Sequence, residues 1–185
     1  MEKAPPVFRL ALILGGARSG KSRYGLGLAA RCPAPRLFVA TCEPRDAEMQ
    51  ARIDNHREER GPDWETREAC LDLPDLLTAP PEGYGVILVD CLTMWLSNLM
   101  LKEGARPAGI RAEGERLAQA LAAARTPTIL VSNEVGWGIV PDNPLAREFR
   151  DQAGWLHQKV AQVADLVVLV VAGLPAVIKG ASSKQ

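Results

Sequence analysis

One stretch limits what this chain can fold into more than any other: Leu12-Ile13-Leu14-Gly15-Gly16-Ala17-Arg18-Ser19-Gly20-Lys21-Ser22. It fits G-x-x-x-x-G-K-[ST] and lies between an apolar run, Leu10 to Leu14, and a helical stretch that begins near Gly20. The order matters chemically. A strand delivers the chain to a tight glycine-rich turn whose backbone N–H groups point at phosphate oxygens. The following helix adds the positive end of its dipole. Lys21 then reaches the β- and γ-phosphates, and the Ser22 hydroxyl is a ligand for Mg²⁺. A strand before and a helix after make a turn without a ligand the poorer reading.

The rest of the chain repeats this alternation. Short aliphatic runs occur at Leu10–Leu14, Leu37–Thr41, Val86–Asp90, Thr128–Ser132 and Leu166–Val171. None alternates with polar residues, as expected of strands buried on both faces of a parallel sheet. After the last run, Ala-Gly-Leu-Pro and Ala176–Lys179 predict a closing hairpin with an antiparallel edge strand. Helical patterns fill the gaps near 20–31, 45–60, 92–102, 107–124 and 143–164. In the last of these, Leu145, Phe149, Ala153, Leu156, Val160 and Val163 form one apolar stripe, with Asp142 or Asn143 as cap and Pro144 in the first turn. The expectation is a three-layer α/β fold with right-handed crossovers, in one domain with loose tails at 1–7 and 181–185.

With 22 basic and 22 acidic side chains among 185 residues, the formal net charge is zero. No global field draws the chain to nucleic acid or membrane, so its partners are recognised locally. Cys32, Cys42, Cys70 and Cys91 form no C-x-x-C pair, which argues against a zinc knuckle or disulfide framework and suits a reducing cytosol. The opening residues form neither a signal peptide nor an apolar span, and no membrane insertion is expected. A cytoplasmic location follows from these signs.

Two further strand ends carry polar groups. Val86-Ile87-Leu88-Val89-Asp90 ends in a carboxylate, the place of a second nucleotide-binding element beside the Mg²⁺ shared with Ser22. Val131-Ser132-Asn133-Glu134 runs into the Gly-rich Val135-Gly136-Trp137-Gly138. Ligands collect at the carboxyl ends of strands, so Asn133 and Glu134 either face substrate or merely precede a bend.

The two histidines differ in setting. His157 lies beside the apolar stripe of the last helix and reads as structural. His56 sits in Arg52-Ile53-Asp54-Asn55-His56-Arg57-Glu58-Glu59-Arg60, where a helix puts Arg52, His56 and Arg60 on one face. Nearby cations disfavour imidazolium and favour a neutral, nucleophilic ring, able to attack phosphorus with a covalent intermediate. The plainer alternative is a solvated, charged helix face.

Taken together, several motifs carry a resemblance. Gly15-Gly-Ala-Arg-Ser-Gly-Lys-Ser22, Arg52-Ile53-x-x-His56, Asp90-Cys-Leu-Thr93, Asn133-Glu-Val-Gly-x-Gly-Ile-Val-Pro141 and Leu145-Ala-Arg-x-Phe-Arg-Asp-x-Ala-Gly154 occur in order between about Arg9 and Lys179. In these the chain resembles the bifunctional adenosylcobinamide kinase / adenosylcobinamide-phosphate guanylyltransferase family of cobalamin biosynthesis. The resemblance implies two reactions. ATP or GTP phosphorylates the aminopropanol hydroxyl of adenosylcobinamide, and GTP then transfers GMP to that phosphate, through a guanylylated histidine at the position of His56.

The resemblance also implies which residues meet nucleotide: Gly15, Gly16, Ala17, Arg18, Ser19, Gly20, Lys21 and Ser22 in the loop, Ala40, Thr41 and Cys42 at a strand end, Arg57, Glu58, Glu59 and Arg60 after the histidine, then Glu68 and Asp90. Lys21 and His56 are the catalytic pair, with Mg²⁺ on Ser22 and Asp90. A RecA-like P-loop NTPase fold and a homotrimer are further implications. In relatives the acid at Asp90 is often Glu, which keeps the charge and changes its reach.

Two other readings keep only part of this. A small-molecule kinase without nucleotidyl transfer predicts γ-phosphate loss with no pyrophosphate. A RecA-like nucleotide-dependent module acting on DNA or protein is opposed, for DNA, by the zero net charge and the lack of a basic, aromatic-interleaved segment.

Overall fold

The computed structural model describes residues 8–42 and 60–180. Seven strands form one sheet: β1 (Leu10–Gly15), β2 (Arg36–Ala40), β3 (Trp64–Glu68), β4 (Val86–Asp90), β5 (Thr128–Asn133), β6 (Leu166–Val171) and β7 (Leu174–Lys179). Their spatial order is β3-β2-β4-β5-β1-β6-β7. All neighbours are parallel except β6 and β7, which pair antiparallel as the Gly-Leu-Pro turn predicts. Among the described residues, five helices connect them: α1 (Lys21–Ala29), α2 (Leu73–Thr78), α3 (Leu92–Leu101), α4 (Pro107–Ala123) and α5 (Pro144–Val163).

The layers follow from the two-residue period of the strands. Leu10, Leu12, Leu37, Val39, Ile87, Val89 and Leu130 point to one face and pack with Trp95, Leu117, Leu121, Leu156 and Val160 of α3, α4 and α5. Ala11, Ile13, Phe38, Val86, Leu88, Ile129 and Val131 point to the other, where Ala29 of α1 and Phe8 join them. Both faces are covered, which is why the central strands read as unbroken apolar runs. Gly25 lets α1 lie close on the sheet: a Cβ there would stand 3.3 Å from the Val131 side chain.

Polar atoms at the ends are used to join elements. Arg9 donates to the carbonyls of Leu121 and Val163, among the last of α4 and α5. Asp165 accepts from the amides of Arg9 and Leu10. Asn98 of α3 donates to Thr41 O at 2.7 Å and Cys70 O at 3.1 Å, which lays that helix across the carboxyl ends of β2 and β3.

The five expected strands and the hairpin are present, with β2 displaced one residue toward the amino end. Thr41 stands just past the strand end, where its amide donates to Asp90 O at 3.3 Å and its hydroxyl accepts from Cys91 N and donates to Cys91 O. The expected helices at 92–102, 107–124 and 143–164 match α3, α4 and α5 within a residue or two, and that at 20–31 stops at Ala29. Asn143 is the cap of α5, its Oδ1 accepting from Leu145 N and Ala146 N. Leu145, expected in the apolar stripe, is 52% exposed, and its neighbours Pro144 and Ala146 at the start of α5 are exposed too. β3 and α2 were not expected. The helix expected over 45–60 lies outside the described residues except for Arg60, as do both tails.

Candidate active site

The phosphate loop leaves β1 at Gly15 and enters α1 at Lys21. Gly20 takes φ +94°, a left-handed conformation that a Cβ penalises. Gly15 is required for a different reason. A Cβ there would stand 2.5 Å from Ser19 Oγ and 2.6 Å from the Val170 carbonyl, and the latter is backbone that cannot swing away. Ser19 N donates back to Gly16 O at 3.2 Å, closing the turn. Lys21 is buried, with Nζ 3.1 Å from Gly16 O, so its ammonium lies folded over the turn. Ser19 Oγ is buried without a hydrogen-bond partner among the described residues. An orphaned hydroxyl and a desolvated ammonium inside one turn fit an anion that accepts from both.

The hairpin tip braces this turn. Gly173 N donates to Ser19 O at 2.8 Å, and a Cβ on Gly20 would approach Gly173 Cα to 3.2 Å. No local signal announces this contact, since the partners lie at opposite ends of the chain.

Strand order brings the other chemistry to the same rim. Asn133 is in register with Gly15, Val131 with Asp90, and Asp90 with Ala40, which pairs in turn with Glu68. β5 therefore stands between the phosphate loop and Asp90. Asp90 is half-buried, and its charge, with that of Lys21, is felt at Cys91. The Cys91 thiol is pushed above its usual range, by burial first and by Asp90 second, which leaves it unreactive. Ser22 is half-buried in the first turn of α1. A hydroxyl and a carboxylate are hard oxygen donors, which suits a magnesium ion held mainly by substrate phosphates. Among the described residues no trio of His, Cys, Asp and Glu gathers as a metal cage.

The remaining implied contacts lie across the sheet. Ala40 and Thr41 are buried, Cys42 is half-buried, and Glu68 is exposed at the end of the edge strand. Gly16, Ala17 and Arg18 are exposed on the loop. The Arg60 guanidinium stacks 3.7 Å from the centre of the Phe38 ring and donates to Thr66 Oγ1 at 3.1 Å. β2 is three strands from β1, so this group sits about 14 Å from the phosphate loop. His56, Arg57, Glu58 and Glu59 lie outside the described residues. Cys32, Cys42, Cys70 and Cys91 form no disulfide among the described residues.

A polar array that the spacing did not predict stands beside the loop. Glu134 N donates to Gly15 O at 3.0 Å. Its Oε1 accepts from Gly136 N at 2.8 Å, and its Oε2 faces His157 Nδ1 at 3.9 Å. His157 Nε2 lies 2.7 Å from Ser132 Oγ, which is fully buried. Burial lowers the His157 pKa below its ordinary value, and the facing carboxylate opposes this only in part. Asn133 Nδ2 donates to Thr93 Oγ1 at 3.0 Å, tying β5 to α3.

Known proteins resemble the chain over most of its length. The chain is 45% identical over 169 residues to the bifunctional adenosylcobalamin biosynthesis protein CobP of Pseudomonas aeruginosa, an alignment spanning 91% of this chain and 96% of that protein. It is 40% identical over 181 residues to CobU of Salmonella typhimurium, spanning 92% and 99%. Among solved structures, a type III secretion ATPase of pathogenic bacteria superposes with TM-score 0.55 at 12% identity, over 96% of this chain and 61% of that one. The flagellar accessory protein FlaH of Methanocaldococcus jannaschii gives 0.53 at 13%, over 96% and 80%. These distant likenesses show the fold, the three-layer RecA-like P-loop arrangement with its antiparallel edge. The model of the family described as cobinamide kinase / cobinamide phosphate guanyltransferase matches residues 11–178, and the chain belongs to that family.

Proposed function

We propose that this chain phosphorylates adenosylcobinamide with ATP or GTP and then transfers GMP from GTP to the new phosphate. The products of the second step are adenosylcobinamide-GDP and pyrophosphate. The observation that carries the reading is the alignment with two bifunctional relatives over 96% and 99% of their lengths, together with a family match over residues 11–178 that contains the phosphate loop. In the kinase step, positioning and charge suffice, without a covalent intermediate. Lys21 trades its contact with Gly16 O for phosphate oxygens, and the loop amides hold the remaining charge. A Mg²⁺ ion on Ser22 and Asp90 would offset charge on the β- and γ-oxygens.

In the transfer step His56 attacks the α-phosphorus of GTP, and pyrophosphate leaves. The phosphate of the cobinamide substrate then displaces GMP from the imidazole. Arg52 is suited to keep the ring neutral before attack and to offset charge during it. Ala40, Thr41, Cys42, Arg60 and Glu68 are assigned to the nucleoside end of the ligand, since β2 and β3 lie away from the phosphate loop, and Arg57, Glu58 and Glu59 are assigned there by their place in the sequence before Arg60. Mass spectrometry of the corrinoid tests both steps. One purified protein with GTP should yield first the phosphate ester and then the GDP adduct. Arrest at the ester would leave a kinase alone.

The assembly we assign is a cytoplasmic homotrimer of single-domain chains, with no nucleic acid partner. Every residue of β7 is exposed, and Leu174 (73%), Ile178 (65%) and Val171 (53%) make its hairpin an apolar sheet edge of the kind proteins cover. A heterologous contact along such an edge gives a closed ring when its rotation closes, and three copies is the closure assigned here. Sedimentation at the trimer mass, reduced to the monomer by Ile178→Lys, is expected; a wild-type monomer contradicts it. Among the described residues no helix is long and apolar enough to cross a membrane.

A further inference from the structure

Phosphoryl transfer to an alcohol has one requirement that the loop, the ammonium and the cation do not meet: the hydroxyl proton must go somewhere. Loop amides and ammonium groups only donate. Among the described residues, three carboxylates stand at the carboxyl ends of strands: Glu68 on β3, Asp90 on β4 and Glu134 just after β5. Glu68 is at the sheet edge, four strands from β1, and Asp90 is assigned to the cation. Glu134 follows the strand that separates the loop from Asp90, and its amide is bonded to Gly15, the first residue of the loop. A phosphate chain spanning the loop and the cation therefore passes over the end of β5. The Glu134 side chain is 21% exposed, open to a substrate yet shielded on most sides.

The carboxylate is also held. Gly136 N binds Oε1, and a Cβ on Gly136 would lie 3.0 Å from that oxygen. Oε2 faces His157 Nδ1, while Nε2 of the same ring reaches the buried Ser132 Oγ. A carboxylate accepts only, so the neutral ring that serves both neighbours carries its proton on Nδ1 and accepts from the Ser132 hydroxyl at Nε2. At 3.9 Å the Nδ1–Oε2 pair is longer than a hydrogen bond, and such contacts tighten when substrate binds. Burial keeps the ring neutral, so it orients the carboxylate without taking the proton itself.

We propose that Glu134 is the catalytic residue that takes the acceptor hydroxyl's proton during phosphoryl transfer, and that His157, anchored on Ser132, is its positioning residue. As the acceptor oxygen bonds to the γ-phosphorus, its O–H bond breaks and the proton passes to Glu134 Oε2. The bond from γ-phosphorus to the bridging oxygen breaks, the nucleoside diphosphate leaves, and Glu134 returns the proton to solvent. The proposal rests on the kinase reading above and adds the base that reading lacks.

Steady-state kinetics with ATP and adenosylcobinamide test it, with thermal melting to read packing separately. Glu134→Gln, nearly isosteric, should lower kcat about 100-fold or more, with KM for ATP little changed. At His157 two replacements separate the roles. Asn keeps a donor near Nδ1 and loses the Ser132 partner, whereas Gln reaches Ser132 and leaves Glu134 unsupported. Positioning predicts that His157→Asn holds kcat better than His157→Gln, even where Asn melts lower. The reverse order in kcat would make His157 a packing residue and overturn its part. Glu134→Gln at the wild-type rate would overturn the proposal alone. A wild type inactive on adenosylcobinamide would overturn the substrate assignment and this proposal with it.

Discussion

Replacing Lys21 with alanine is expected to lower both phosphoryl transfer and GMP transfer by about 10²–10³-fold, equivalent to about 2.7–4 kcal/mol of transition-state stabilisation. The size follows from burial. Lys21 is only 9% exposed, and its ammonium rests on the Gly16 carbonyl at 3.1 Å. Charge-assisted bonds formed in such a site are worth more than in water, because little solvent competes. Arginine should not rescue, since its rigid fork does not fit where a point charge lies folded inside a tight turn. A loss in both activities is the informative part, because the proposed mechanism has one loop serve both donors. Loss of phosphorylation with GMP transfer at the wild-type rate would mean that GTP binds elsewhere for the second reaction. Initial rates of each half-reaction, measured on one preparation, decide this.

His56→Ala is expected to divide the activities instead. GMP transfer should fall by roughly 10⁴-fold or more, the scale of losing a covalent nucleophile, while adenosylcobinamide is still phosphorylated. Arg52, His56 and Arg60 recur at helical spacing, and the family includes guanyltransferases. The structure bears on one member of that set. Arg60 is anchored on Phe38 and Thr66, so the chain re-enters the described fold against β2 and β3. Radiolabel from α-labelled GTP, acid-labile and base-stable, should appear on the wild type and be absent from the variant. Equal labelling of both would remove the covalent role from His56.

Much of this was legible in the sequence because the strongest signals are local. β1, the phosphate turn and α1 follow one another within twenty residues, and the central strands are too apolar to be anything else. β3 was not legible. Trp64-Glu65-Thr66-Arg67-Glu68 carries three charges in five residues, since an edge strand has only one neighbour and keeps its charges in solvent. Its inward face is visible only in three dimensions, where Trp64 meets Phe38 edge-on at 6.3 Å. α2 escaped because Leu73–Thr78 spans six residues, too short to display a helical period.

The site divides the same way. Gly15 to Ser22 and Asp90 were readable from spacing, and the parallel register then sets both at one rim. The brace from Gly173 to Ser19 joins residues 154 apart in sequence, and nothing in either segment points to the other. His157 was read as structural from its place beside an apolar stripe. It is indeed buried, but its ring joins Ser132 to Glu134, and a stripe of hydrophobic residues carries no sign of the strand end opposite it.

The central claim is that GMP travels from GTP to the corrinoid by way of the protein. It is tested most directly by a pulse and chase. Protein labelled with α-³²P-GTP and freed of nucleotide is mixed with adenosylcobinamide phosphate alone. The account predicts that label leaves the protein and appears, mole for mole, in adenosylcobinamide-GDP. Label that stays on the protein, with product forming only when fresh GTP is added, would contradict it.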